Sequence, residues 1–342
     1  MAQSFLKAEW KPVERLTLFA DLQGRWARFR YEGEDMQVLR DTFQVETADW
    51  FFFNPKGGLR WHQTEKLSFY GSVGMTQREP ARLDFLGGAD RALQDLDPKR
   101  VASETVVDAE PGVNYRSRRF QLQANLFWME FWDEIVATGE LNAFGLAIRR
   151  NVPRSFRRGL ELQYTWQPLD QLHLTGNASY TWARIQEVQQ AFDVYDEDGA
   201  FVETVVRTQE DVQPLLTPPF IAHQQAEWQP LGWLAIGLQG RFVSQQHLDN
   251  TGNDALSTDA FAVGDAWLRL QLDRLIPGLK DGKHGRYMLQ ARVNNFTNTT
   301  YEPSGYSYPF LTESGGQRME AGTPYFYPAP PSNFMLSFRA EF

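Results

Sequence analysis

The sequence of 342 residues predicts an all-β fold, a transmembrane antiparallel β-barrel. Three observations predict it. Apolar and polar residues alternate in runs of about ten residues along the whole chain, the length that a tilted strand needs to cross a bilayer. Short turns and long polar loops alternate between these runs, and aromatic residues, 14% of the chain, gather near the ends of the runs. Transmembrane barrels combine all three features.

The alternation predicts thirteen strands, separated by connections of two sizes. The strands are expected near 2–11, 14–31, 50–62, 66–78, 103–116, 119–136, 144–167, 171–186, 217–229, 232–246, 259–275, 284–297 and 332–342. The short turns include 11–14, 116–118, 167–171 and 229–232, and the long polar loops 32–49, 79–102, 187–216 and 298–331. Because barrels keep short turns on the periplasmic side, the first and the last strand should both run toward the periplasm.

Successive residues of a strand point to opposite faces of the sheet, which fixes the expected orientation of each side chain. The face toward lipid should carry Leu172, Leu174, Ala178 and Ile236, and the face toward the lumen Thr175, Asn177 and Gln239. Tryptophans near the strand ends are expected to form interfacial girdles, because an indole ring suits the boundary between headgroups and hydrocarbon. These tryptophans are Trp166, Trp182, Trp228 and Trp267.

Composition and spacing exclude several classes of protein. There is no cysteine, which removes disulfide scaffolds, thiol nucleophiles and cysteine-bound metals. The net charge of −9 argues against nucleic acid as a partner. The five histidines lack the spacing of metal ligands, and no catalytic constellation appears, so we expect neither an enzyme nor a cofactor. A soluble sandwich or propeller is disfavoured, because the strands are long and no repeat of about 40 to 50 residues occurs.

The last strand ends the chain on an aromatic residue. Alternation places Phe334, Leu336, Phe338 and Phe342 on one face. A terminal strand of this kind resembles the signal by which the barrel-assembly machinery recognises bacterial outer-membrane proteins, so that machinery is an expected partner.

Several longer segments resemble the C-terminal part of the barrel of TonB-dependent receptors, in the order in which that family carries them. They are FNPKGGLRW (53–61), SVGMTQREPARLDF (72–85), ETVVDAEPGVNYRSRRFQLQANLFWMEFWDEIV (104–136), NVPRSFRRGLELQYTW (151–166), VNNFTNTTYEPSGY (293–306) and NFMLSFRAEF (333–342). The resemblance implies a barrel of about 22 strands around a plug. Residues 1–342 would be its C-terminal portion, without signal peptide, TonB-contacting segment or plug. The odd number of predicted strands agrees with an incomplete barrel.

The same resemblance implies a function in the bacterial outer membrane. The family imports a scarce ligand, most often an iron–siderophore or cobalamin-like complex, with energy delivered by the TonB complex. The implied partners are that ligand, the TonB complex through the absent N-terminal part, and outer-membrane lipid and lipopolysaccharide. The alternative is a passive porin-like or structural outer-membrane barrel that needs no plug.

Five arginines crowd the segment RRNVPRSFRR at 149–158. Arg149, Arg150 and Arg157 are candidate ligand contacts, because a guanidinium pairs with carboxylates, catecholates or phosphates at two points. The alternative is that these arginines pair with neighbouring barrel carboxylates or with lipopolysaccharide. Alternation predicts that Arg157 faces the lumen and Arg158 the outside.

The last long loop is rich in aromatic residues. Candidate ligand contacts there are Tyr306, Tyr308, Phe310, Tyr325 and Tyr327, with Tyr301 and Phe326 in the same loop. Exposed aromatics concentrated in one loop are typical of a binding surface. They are equally compatible with side chains that pack the loop onto its neighbours, and the sequence leaves both interpretations open.

Overall fold

In the computed structural model, which describes residues 1–34, 43–81, 84, 101–141, 147–277 and 285–341, most of the chain is β-strand. The strands are β1 (Ala2–Val13), β2 (Leu16–Glu34), β3 (Phe43–His62), β4 (Leu67–Arg78), β5 (Glu104–Arg116), β6 (Phe120–Leu141), β7 (Ala147–Leu169), β8 (Leu172–Tyr195), β9 (Phe201–Val212), β10 (Phe220–Leu231), β11 (Leu234–Val243), β12 (Gln246–His247), β13 (Ser257–Thr258), β14 (Phe261–Gln271), β15 (Arg286–Asn294), β16 (Ser304–Ser314), β17 (Gln317–Tyr327) and β18 (Asn333–Glu341).

Thirteen of these strands follow one another along one antiparallel path through the main sheet, and they correspond to the thirteen predicted strands. The order is β1-β2-β3-β4-β5-β6-β7-β8-β10-β11-β14-β15-β18. β1 and β18 are the two ends of this path. Every neighbouring pair on the path is antiparallel, with β8 joined directly to β10. No helix among the described residues is long and apolar enough to cross a membrane.

Three hairpins of this sheet share a sequence motif at their short turns. The pattern Trp-x-Pro-Val/Leu occurs at 10–13, 166–169 and 228–231, directly before a two-residue turn. In each case the register between the strands shifts between the tryptophan and the last residue of the motif. Proline has no N–H for the strand ladder, so it is tolerated where pairing is interrupted in this way. The motif therefore marks the end of the sheet that carries the short turns, here called the turn end.

The division into two faces is confirmed by the strand register. Leu174 lies in a cross-strand row of apolar residues that runs through Trp166, Leu174, Ala226, Leu238, Ala266, Val293 and Phe334. Thr175, the next residue, lies in a polar row made of Thr165, Thr175, Gln225, Gln239 and Asp265. We call these two surfaces the apolar face and the polar face. Leu172, Ala178 and Ile236 share the apolar face with Leu174, and Asn177 shares the polar face with Thr175.

One expected girdle residue lies on the wrong face. Trp166, Trp182 and Trp228 are on the apolar face and about half exposed, as predicted. Trp267 instead shares the polar face with Asp265 and is only 8% exposed. Its ring covers Gly237 on β11, where the absence of a side chain leaves room for an indole.

The polar face carries ion pairs between strands: Arg292 and Asp265 lie on the neighbouring β15 and β14, whereas Arg269 of β14 reaches Glu227 of β10 across β11. Arg292 contacts Asp265 at 2.8 Å, and Arg269 contacts Glu227 at 3.0 Å. Gln239 donates to the same Asp265 at 2.5 Å. Opposite charges on adjacent strands stabilise their pairing, and the pair of Arg269 with Glu227 extends this attraction over three strands.

The connections away from the turn end contain more regular structure than predicted. β8 continues to Tyr195 and forms a hairpin with β9, so most of the predicted loop 187–216 is strand. β16 and β17 form a second hairpin inside the predicted loop 298–331. At the turn end, the strand expected near 259–275 ends at Gln271 beside Trp233 and is followed by a short helix, α1 (Leu272–Leu275). The central parts of the predicted loops 32–49 and 79–102 lie outside the described residues.

The terminal strand β18 pairs with β15 over its whole length. Phe334, Leu336 and Phe338 lie on the apolar face, and Phe334 is 85% exposed. This arrangement agrees with the face expected of the assembly signal, whereas Phe342 lies outside the described residues.

Candidate functional site

The hairpin of β16 and β17 lies against the far end of β8, at the end of the sheet opposite the short turns, here called the loop end. Its pairing with β8 is parallel and joins Phe310 to Asp193 and Thr312 to Tyr195. Between these pairs, Leu311 packs with Phe192 and Val194 in a cluster that is closed to solvent. A strand of the last loop is thereby fixed to a strand more than a hundred residues earlier.

Buried polar side chains hold the base of the hairpin. Ser307 donates to Asp249, a buried carboxylate in the connection between β11 and β14. The same carboxylate accepts from the backbone N–H of Thr251 at 2.9 Å and from its hydroxyl at 2.6 Å. Gln246 donates to the carbonyl of Pro303 at 2.9 Å. Because buried polar groups need partners, these bonds fix the position of the hairpin as well as stabilising it.

Tyrosines form an exposed aromatic surface on one face of the hairpin. Tyr306 and Tyr325 face each other across the two strands, with ring centroids 5.0 Å apart and planes nearly parallel. The ring of Tyr327 is 6.0 Å from that of Tyr306. Tyr306 is 51% exposed, Tyr325 47% and Tyr327 58%. This surface, called the tyrosine stack, can accept a further flat ring.

Two other candidates, Tyr308 and Phe310, pack toward β8. Phe310 meets the ring of Tyr195 edge to face at 5.7 Å. Tyr308 donates its phenol proton to Asp193 and lies 3.3 Å from the Tyr195 hydroxyl. Burial, and after it the hydrogen bond to Asp193, raises the pKa of Tyr308 well above its ordinary value. The packing interpretation therefore holds for Tyr308 and Phe310, whereas a binding role for the exposed tyrosine stack stays a prediction.

Other aromatics of the loop have separate contacts. Tyr301 stacks on Phe261 at 4.5 Å and accepts a hydrogen bond from Arg241 at 3.3 Å. Phe326 lies across from Gly305 in the hairpin register and is half exposed.

The arginine-rich segment lies on β7, and its members pair with groups of the wall. Arg157 is on the polar face, as predicted, and contacts Glu134 at 2.5 Å and the ring of Phe131 at 4.5 Å. Its Nη1 is buried and has no hydrogen-bond partner among the described residues. Arg149 is 3.5 Å from Asp84, and Arg150 lies opposite Val136 of β6.

Arg158 lies on the apolar face, as predicted for it. Its Nε contacts Glu130 at 3.0 Å, and its guanidinium stacks on Trp128 and Phe156. The arrangement leaves a cation embedded among aromatic rings at the end of the apolar surface, where both charge and rings can be accommodated.

The structure does not bring all candidates together. Arg157 pairs with Ala183 on β8, ten residues before Asp193, which corresponds to about 33 Å along an extended strand. Arg157 and the contact of Tyr308 with Asp193 are therefore two separate places on the molecule. The contacts of Asp193 and Tyr195 were missed in the sequence, because both residues fall in a segment predicted as a loop.

A family model described as "TonB dependent receptor-like, beta-barrel" matches residues 2–296, most of the chain. The chain belongs to the TonB-dependent receptor β-barrel family. None of the curated proteins matches the sequence. The family match agrees with the resemblance seen in the segments of the sequence.

Solved structures share this fold at low sequence identity. The ferric-catecholate import receptor Fiu from E. coli K12, in its closed form, is 16% identical with a TM-score of 0.67, over 99% of this chain and 44% of that chain. The copper transporter OprC is 15% identical with a TM-score of 0.71, over 99% of this chain and 49% of that chain. The siderophore receptor PiuA from Acinetobacter baumannii is 15% identical with a TM-score of 0.70, over 99% and 43%. This TonB-dependent receptor chain thus spans less than half the length of these three receptors.

Proposed function

We propose that residues 1–342 are the C-terminal portion of the barrel domain of an outer-membrane receptor that imports a chelated metal with energy from TonB. The observation that carries the proposal is the family match over residues 2–296. Two of the similar structures are a ferric-catecholate import receptor and a siderophore receptor, and a third is a copper transporter. A ferric complex of an aromatic siderophore is the ligand that we favour, over a cobalamin-like complex.

The loop end supports a ligand of this chemistry. The tyrosine stack exposes flat rings where a ligand from outside would arrive, and a catecholate ring is flat and aromatic. Offset stacking between such rings contributes about 0.5–1.5 kcal/mol beyond the area that it buries. Arg149, Arg150 and Arg157 add cationic groups for an anionic chelate, because a guanidinium can pair with an anion at two points.

The apolar face supports the location. Its rows of leucine, alanine and phenylalanine are bounded by half-exposed tryptophans, the arrangement that a barrel presents to the bilayer. In this setting lipid and lipopolysaccharide contact the apolar face, and the barrel-assembly machinery recognises β18. The TonB complex would act through a part of the receptor other than these residues.

Uptake in intact cells tests this function. Iron-starved cells that carry the receptor should accumulate radiolabelled iron from a ferric catecholate, and deletion of the receptor or of TonB should abolish that uptake. Replacing Tyr306, Tyr325 and Tyr327 together with alanine should weaken binding of the ligand at least about tenfold, the loss of about 1.4 kcal/mol. Tyr115→Ala, a change of an exposed tyrosine near the turn end, is the matched control. Uptake that continues without TonB would favour the passive porin-like alternative and contradict the proposal.

A further inference from the structure

Three side-chain oxygens meet where β16 lies against β8. Tyr308 donates its phenol proton to Oδ2 of Asp193, and the phenol oxygens of Tyr195 and Tyr308 are 3.3 Å apart. Thr204 of β9 donates to the other carboxylate oxygen of Asp193 at 2.7 Å. Two phenols and one carboxylate, from two distant segments of the chain, therefore converge on one point.

The surrounding packing fixes these groups. The ring of Tyr195 lies edge to face between Phe201 at 6.2 Å and Phe310 at 5.7 Å. The backbones beneath are joined by the parallel pairing of β16 with β8. Tyr195, Tyr308 and Asp193 remain partly exposed, so these residues are not sealed from solvent. The site is both held in place and accessible.

We propose that Tyr195, Tyr308 and Asp193 bind a ferric ion directly through their oxygens. Carboxylate and phenolate oxygens are hard donors, and hard donors favour hard cations. Tyrosine is an established protein ligand of iron. The charges also favour a trivalent ion, because two phenolates and one carboxylate together carry three negative charges.

Binding is an exchange of protons for metal, without oxidation or reduction. Each phenol forms an oxygen–iron bond and releases its proton to solvent, so two protons leave for each ferric ion bound. The hydrogen bond from Tyr308 to Asp193 is replaced by two bonds to the same ion. Water fills the remaining coordination positions. The inference rests on the proposed import of a chelated metal and adds a place where the protein's own oxygens take the metal.

The experiment uses the receptor purified from outer membranes and ferric nitrilotriacetate as the iron donor, without any siderophore. Iron bound to phenolate absorbs visible light by charge transfer. A hydrogen bond between tyrosine and aspartate gives no such absorption, so the signal reports iron bound to tyrosine. We expect this absorption to saturate at one iron per receptor. Tyr308→Phe, Tyr195→Phe and Asp193→Asn should each weaken iron binding at least tenfold, and the double phenylalanine variant should lose the absorption.

Tyr180→Phe is the matched control, because it removes an exposed phenol from β8, the strand of Asp193 and Tyr195, without touching the three oxygens. It should bind iron like the unchanged receptor. The phenylalanine variants keep the rings and their packing, and circular dichroism checks that the sheet is intact. Absence of the absorption in the unchanged receptor, or its persistence in the double variant, would overturn the inference. Loss of TonB-dependent uptake is measured separately in cells, so failure of the proposed function is distinguishable from failure of the iron site.

Discussion

Trp267 on β14 covers Gly237 on β11, and a Cβ added to Gly237 would come within 2.0 Å of the indole ring. The two residues are opposite each other in the strand register, on the polar face. An aromatic ring over a glycine of the neighbouring strand protects the backbone there and fixes the register. The tryptophan thus contributes to packing within the wall, where an interfacial position was expected.

This contact predicts that Gly237→Ala destabilises the protein. Forcing a methyl group into a filled site costs about 1–3 kcal/mol, because the indole ring must move. Gly240→Ala on the same strand is the control, since nothing lies within 4 Å of its added Cβ. Its effect should stay within about 0.5 kcal/mol. Denaturant unfolding in detergent measures both, and equal stabilities for the two variants would contradict the packing described.

The two faces of β7 predict opposite responses to a charge. Leu162 pairs with Ala178 on the apolar face, and Gln163 pairs with Asn177 on the polar face. If the apolar face meets lipid, Leu162→Arg should destabilise the protein by about 2–4 kcal/mol, the cost of arginine near the bilayer midplane. Gln163→Arg should have a much smaller effect. Unfolding titrations in lipid vesicles compare the two, and the reverse order would show that the lipid-facing side was assigned incorrectly.

The buried Asp249 predicts how the hairpin of β16 and β17 can be loosened. Asp249→Ala leaves Ser307 and Thr251 without their acceptor, which costs about 1–3 kcal/mol for each buried group that stays unpaired. The hairpin should then open more often, and trypsin should cut faster after Arg318, next to the turn of the hairpin. The exposed Asp259 provides the control variant Asp259→Ala. A cleavage rate that does not change in Asp249→Ala would argue against this anchor.

The environment of Tyr308 predicts that this phenol titrates at a higher pH than the other tyrosines. Burial and the bond to Asp193 raise the pKa of Tyr308 in the folded state above the ordinary value of 10.0. Its contribution to stability is therefore fully present below about pH 10 and is lost as pH rises through the folded pKa. We expect one phenol to titrate later than the rest when tyrosinate absorbance is followed, and Tyr308→Phe to remove that late step. If the variant keeps the late step, another tyrosine is responsible.

Arg157 predicts a charge-dependent affinity for an anionic ligand. Removing a charge-assisted contact should cost about 1.5–3 kcal/mol, about tenfold to a hundredfold in affinity. The variant Arg157→Ala is combined with Glu134→Gln, so that no lone carboxylate remains at its former partner. Asp170→Ala, which removes an exposed ion pair with Arg119 at the turn end, should leave affinity unchanged. The measurement is the affinity of the purified receptor for the anionic ligand. Equal losses of affinity in the Arg157 and Asp170 variants would contradict the expected orientation of the barrel.

The alternation of residues along the chain was enough to predict the sheet. Alternation between faces is a local property of an extended chain, so Leu174 and Thr175 could be assigned to opposite faces without any knowledge of their neighbours. The thirteen strands of the wall followed from the same pattern. The same alternation also places Trp267 on the polar face, because Trp267 is two residues from both Asp265 and Arg269. Only its closeness to the end of the predicted strand favoured a position in an interfacial girdle.

The contacts at the loop end could not be predicted from the sequence, because they join segments that are distant along the chain. Asp193 and Tyr308 are 115 residues apart, and the alternation within each segment does not indicate which distant residue it contacts. Their meeting depends on how two hairpins pack on each other, which is set by the buried cluster of Phe192, Val194 and Leu311 and by the anchor at Asp249. Contacts between segments that are distant in sequence leave no periodic pattern in either segment. The folded structure was therefore needed to show that Tyr306, Tyr325 and Tyr327 are exposed while Tyr308 packs against Asp193.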